Sequence, residues 1–163
     1  MPTFDVVSLV QMYEVKNAVD QVKREIATRY DLKGTKSALE FREKDGLIEL
    51  SADEDLRLKA LQELLKQKLA KRGVSLKSIN FKEPQAVGGD IKKQEVVVKQ
   101  GLSDEELRRM TKLIKEAKFK VITQMQGAQL RVSGKKKDEL QAVIAYLREQ
   151  IQDLELQFVN FRD

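Results

Sequence analysis

The chain ends in Phe158-Val159-Asn160-Phe161-Arg162-Asp163, and nearly the same run occurs earlier as Ser78-Ile79-Asn80-Phe81-Lys82-Glu83. Residues 79–83 map one to one onto 159–163, with Ile matched to Val, Lys to Arg and Glu to Asp. A second anchor lies upstream, where Leu50-Ser51 matches Val132-Ser133, so the later copy is two residues shorter between its anchors. Two anchors separated by a helical stretch identify a duplicated module of roughly 80 residues. Two copies make a pair of domains, not a solenoid.

Working outward from that repeat, each half reads as the same string of elements. Thr3 to Ser8 is a short β-branched strand. Met12, Val15, Val19, Val22 and Ile26 recur three and four apart, the apolar stripe of an amphipathic helix. Ser37 to Lys44 alternates, Asp45-Gly46 signals a hairpin, and Leu47 to Ser51 returns. A helix from Asp53 to Lys71 ends at Gly73, and Leu76 to Lys82 closes the half with Ser78 facing outward. Pro84 to Asp90, with Gly88-Gly89, reads as the linker. The later half repeats the pattern with a strand at Glu95–Gln100 and a helix opened by the capping box Ser103-Asp104-Glu105-Glu106. Strands at Phe119–Gln126 and Gln129–Ser133, a helix carrying Leu140, Val143, Ile144, Leu147 and Ile151, and a strand at Leu156–Arg162 complete it.

The predicted class is α+β: two ferredoxin-like βαββαβ modules with helices on one sheet face and the other face open. Two divisions satisfy the spacing. In one, the first strands are exchanged, giving a module of residues 9–101 that includes strand 95–100 and a module of residues 1–8 plus 102–163. In the other, the modules are contiguous, 1–84 and 91–163. A short loop between strands makes the exchange entropically mild, and the residues alone leave both open.

Composition narrows the chemistry. The 163 residues contain no Cys and no His, which removes thiol chemistry, His-based triads and transition-metal sites. No apolar run approaches the ~20 residues of a membrane helix, and residues 1–5 lack the pattern of a secretion signal, so a cytoplasmic location is expected. The net charge of +5 is compatible with an anionic partner. Asp5, Asp20, Asp31 and Asp55 read as isolated carboxylates without an orienting partner, so a non-enzymatic protein without a cofactor is expected.

Strict alternation points Lys120, Ile122, Gln124, Gln126, Gln129, Arg131, Ser133, Phe158, Asn160 and Arg162 to the open face of the later sheet. That face is cationic and rich in amides, whereas Glu40, Arg42, Glu49 and Lys82 make the earlier one mixed in sign. The predicted nucleotide site therefore has Lys120, Arg131, Lys135 and Arg162 on phosphate, Gln126 and Asn160 on base edges, and Phe4 or Phe158 stacking. Gly134-Lys135-Lys136-Lys137 opens a helix like a phosphate-binding corner, although no P-loop pattern is present. Arg108, Arg109, Lys112, Lys115 and Lys118 form a candidate nucleic-acid strip on one helix.

Pro2-Thr3-Phe4-Asp5-Val6-Val7-Ser8, Lys71-Arg72-Gly73, Lys99-Gln100-Gly101, Lys112-Leu113-Ile114-Lys115, Gln126-Gly127, Arg131-Val132-Ser133-Gly134-Lys135, Asp138-Glu139-Leu140-Gln141 and Asn160-Phe161-Arg162-Asp163 together resemble the bacterial YajQ family from end to end. The resemblance implies exchanged first strands and a cytosolic nucleotide-binding protein. Its members are associated with ATP, GTP or tRNA, and some with cyclic di-GMP and action through a transcription factor. Two departures stand out: Gly127-Ala128 replaces the usual Gly-Asp, and Leu9 and Gln11 stand where the family often has acids. Gln126, Arg131 and Lys135 match the family pattern.

Overall fold

The computed structural model describes residues 1–163, which fall into two units. A terminal unit contains Met1–Leu9 and Gln100–Asp163, and a middle unit contains Val10–Lys99.

The middle unit holds α1 (Met12–Thr28), β2 (Ala38–Arg42), β3 (Leu47–Ala52), α2 (Asp55–Lys71), β4 (Ile79–Phe81), β5 (Gln85–Ala86) and β6 (Lys92–Val98). Its main strand order is β2-β3-β6-β4, all antiparallel. The terminal unit holds β1 (Thr3–Val7), α3 (Asp104–Glu116), β7 (Val121–Gln126), β8 (Gln129–Gly134), α4 (Lys137–Gln150) and β9 (Gln157–Arg162). Its order is β7-β8-β1-β9, also antiparallel. Each sheet has the βαββαβ arrangement. The chain's first strand lies between β8 and β9, while β6 lies between β3 and β4.

Periodicity explains both cores. Val15, Val19 and Val22 of α1 and Leu61, Leu65 and Leu69 of α2 are buried against Leu39, Ile48, Leu50 and Val96 of the middle sheet. Leu107, Met110 and Ile114 of α3 and Leu140, Val143 and Leu147 of α4 meet Phe4, Val6, Leu130 and Val132. At about 25 cal/mol per Å² of apolar surface removed from water, these rows supply most of the driving force for folding. The capping box is present as expected: Ser103 Oγ accepts from Glu106 N at 3.1 Å, and Ser103 N donates to Glu106 Oε1 at 2.9 Å. No helix is long and apolar enough to cross a membrane.

Local backbone chemistry alters three expectations. Leu76–Ser78 is a 3-10 turn capped by Ser75, so only Ile79–Phe81 is strand, and Ser78 is buried instead of facing outward. Pro84–Asp90 belongs to a hairpin inside the middle sheet, because Gln85 and Ala86 pair with Lys93 and Lys92. At the Asp45-Gly46 turn, Gly46 has φ +59°, and a Cβ there would stand 3.1 Å from Val98 O, so glycine satisfies both demands.

The third change is in β9. Thr3 faces Arg162 and Asp5 faces Val159, so one extra residue is inserted between them. That residue is Asn160, at φ +56°, a conformation asparagine tolerates better than most residues. The bulge resets alternation, returning Phe161 to the Phe4 side and leaving Arg162 on the open face.

Candidate functional site: an acid-centred network and a lysine-lined depression

The open face of the terminal sheet is organised by Asp5. Alternation in Thr-Phe-Asp-Val-Val sends Phe4 and Val6 into the core and Asp5 to the other face, where it is only 3% exposed. Register sets Arg131 directly across from it on β8. Arg131 Nε donates to Asp5 Oδ1 at 2.9 Å and its Nη2 to Oδ2 at 3.3 Å. Asn160 Nδ2 donates to Oδ2 at 2.8 Å, and Gln129 Nε2 reaches the same oxygen at 3.4 Å. Arg162 Nε donates in turn to Asn160 Oδ1 at 3.2 Å.

Hydrogen bonds from Arg131 hold the Asp5 carboxyl below its usual range; burial opposes them, and Asn160 adds to the lowering. Asp5 is therefore an anion at neutral pH. Its low pKa makes it a poor proton acceptor and a firm anchor for one arginine and two amides. The isolated carboxylate of the sequence reading is the hub of the face.

One rung along, Ile122 pairs with Ser133, Ser133 with Thr3, and Thr3 with Arg162. Beside this rung lies a depression of about 610 Å³ lined by Met1, Lys118, Lys120, Ile122, Ser133, Lys135, Lys136 and neighbouring groups. None of its four lysines makes an ion pair. The one lining carboxylate, Glu139, accepts from Lys120 N at 3.0 Å, which ties the start of β7 to α4. No side chain caps the N-terminus of α4 at Lys136. Unpaired ammonium groups gathered around one hollow repel one another until an anion enters. The peptide dipoles at the start of α4 favour the same sign of ligand.

The expected site residues separate into three groups. Lys120 and Lys135 line the depression, and Arg162 lies at the far end of the adjoining rung. Arg131 and Asn160 are joined to Asp5, so they support the face while part of Arg131 stays open to solvent. Gln126 does not join either group. It is four residues from Ile122 along β7, about 13 Å at the rise of a strand, and its amide donates to Gln124 at 3.3 Å.

Neither aromatic stands on the open face as expected. Phe4 is fully buried. Phe158 lies against the core, edge-on to Phe4 at 6.0 Å and under the Arg148 guanidinium at 5.1 Å. Alternation extrapolated through the bulge had turned it outward.

The helical strip also divides. Arg109 forms a two-pronged pair with Asp153, both bonds 2.9 Å, which raises its pKa, and Lys112 lies 4.0 Å from Glu116. Asp104, Glu105, Glu106 and Glu116 balance the four basic residues of α3. Arg108 and Lys115 remain exposed on the helix, whereas Lys118 leaves it at φ +60° and lines the depression. Asp5 and Lys136 were the members sequence reasoning did not select, although Lys136 lay within the Gly134–Lys137 corner it noted.

Residues 2–162 match the family described as nucleotide-binding protein YajQ-like. A curated protein of Nitrosococcus oceani, named a nucleotide-binding protein, is 47% identical over 163 residues, all of both chains. One of Heliobacterium modesticaldum with the same name is 47% identical over 160 residues, 98% of this chain and 96% of its own. One of Desulfitobacterium hafniense, again so named, is 46% identical over 160 residues, 98% and 97% of the two chains. With the match leaving out only the first and last residues, the chain belongs to the YajQ-like nucleotide-binding protein family.

Proposed function

We propose that the protein binds a nucleotide, with phosphate held in the depression by Lys118, Lys120, Lys135 and Lys136. The observation that carries this reading is four lysines without ion-pair partners around one hollow. The names of its relatives support the ligand class. Ile122, 63% exposed on the floor, offers an apolar surface to a sugar or base, and Arg162 supplies a further cation across the sheet. Asp5 and Arg131 act as positioning residues that hold Asn160 and, through it, Arg162. Titration calorimetry with cyclic di-GMP, GTP and ATP against the wild type and Lys120→Glu/Lys135→Glu tests it. A loss of at least about tenfold, equal to 1.4 kcal/mol, is expected for the ligand that binds. Equal affinity in the double variant removes the site.

A second reading, RNA binding, is favoured by one observation in the middle unit. Tyr30 is fully exposed in a loop anchored by buried Leu32, with Thr35 Oγ1 donating to Leu32 O at 2.7 Å. Arg29, Lys33 and Lys36 flank it. A ring so placed can stack on a base while lysines meet phosphate. Tyr30→Ala should then weaken binding to a short single strand several-fold, with affinity falling steeply in salt. An unchanged affinity rejects this reading.

A further inference from the structure

A β-sheet edge is a row of unpaired peptide groups, and three of the four main edges here are blunted. At the middle sheet, β2 carries Glu40 and Arg42, and β4 is three residues long. At the terminal sheet, β9 is broken by the Asn160 bulge and bears Arg162. The fourth edge has none of these protections. β7, Val-Ile-Thr-Gln-Met-Gln, contains no charge and no proline, and it pairs with β8 in unbroken register from Val121 to Gln126. Ile122 on one face is 63% exposed and Met125 on the other 40%.

We propose that β7 is a self-association edge, pairing antiparallel with β7 of a second copy about a two-fold axis normal to the sheet. Charge selects this occupant. A two-fold axis brings a strand against itself, so a charged strand meets its own charge, whereas this one meets none. The lysines flanking the strand do not oppose each other either. Antiparallel pairing sets Lys120 of one copy beside the Gln126–Ala128 end of the other, not beside its Lys120. Of the registers that keep the open faces on the same side, the two of fullest overlap place Gln124 against Gln124, or Thr123 against Thr123. Met125, which is not part of the depression, then loses exposed surface to the second copy. An edge about 20 Å long buries less than a permanent dimer needs, so the contact is reversible, with a Kd on the order of tens of micromolar.

Sedimentation velocity of the full chain over a concentration series tests the proposal, with Gln124→Lys and Gln124→Glu as variants. The wild type should shift from monomer to dimer mass as concentration rises. Each variant alone should remain monomeric, because like charges then sit at or near the axis. An equimolar mixture of the two should recover a dimer, and circular dichroism should show all three proteins equally folded. A wild type that stays monomeric up to about 1 mM overturns the proposal. So does a dimer that persists unchanged in both single variants.

Discussion

Lys118 follows α3 with φ +60°, the left-handed position where helices usually place glycine or asparagine. A Cβ-bearing residue there costs about 1 kcal/mol relative to glycine, yet the position holds a lysine that lines the depression. Strain at a ligand-facing residue is the pattern expected where binding, not folding, determines the side chain. Lys118→Gly should therefore stabilise the protein by about 1 kcal/mol, raising the melting temperature by roughly 2–4 °C for a chain of this size. The same change should weaken nucleotide affinity about tenfold, or 1.4 kcal/mol, by deleting one of the four ammonium groups. Lys118→Ala separates the two effects, since it removes the charge but keeps the left-handed strain. It should lose affinity with little gain in melting temperature. Differential scanning calorimetry and titration calorimetry on the three proteins give both numbers. A Lys118→Gly protein that melts no higher than the wild type refutes the strain argument; one that melts higher but binds equally well refutes the role of the lysine.

Other expectations follow from the same contacts. Asp5→Asn should cost about 2 kcal/mol at neutral pH, because it removes the charge that Arg131 and Asn160 address while a solvent-facing Arg131 recovers part of the loss. The folded pKa of Asp5 lies below its ordinary 3.8, so this stabilisation is complete above that value and fades as pH falls through the lower one. Denaturant titrations should accordingly find a constant difference between wild type and Asp5→Asn from pH 7 down to about 5 and a shrinking one below 3.8. A gap that widens in acid contradicts the assigned direction. Gly101→Ala should destabilise by about 2 kcal/mol or more, since Gly101 has φ +83° and a Cβ there would lie 2.8 Å from the Ala128 Cβ. Chemical unfolding that finds less than half of this shows that the Ala128 turn yields. Ser103→Ala should cost about 1 kcal/mol by leaving Glu106 N without its cap, and an unchanged melting curve would mean that water replaces the hydroxyl.

Much of the fold was legible because it rests on local periodicity. Helices α1 to α4 follow their apolar stripes, and the match of 79–83 to 159–163 marks equivalent strands in the two sheets. What escaped reading depended on distance or on a single inserted residue. Asp5 and Arg131 are separated by 126 positions, so nothing near either one in the chain announces the pair. Phe158 was turned outward because alternation presumes an unbroken ladder, and the ladder shifts at Asn160. Asparagine at that point was the available clue, since it enters the left-handed region more readily than its neighbours would. The lysine corner at Gly134–Lys137 was visible as composition, but the hollow beside it needs Lys118 and Lys120, which the pairing of Val121 with Gly134 brings in from the opposite arm of the β7–β8 hairpin.

The central claim is that the unpaired lysines of the terminal unit hold the phosphate of a nucleotide. Its most direct test is a competition-free titration of the wild type and Lys120→Glu/Lys135→Glu with cyclic di-GMP, GTP and ATP at two salt concentrations. Saturable binding by the wild type that weakens with salt and falls at least about tenfold in the double variant is the predicted result. Binding of equal strength in both proteins, with the variant's fold intact by circular dichroism, contradicts it.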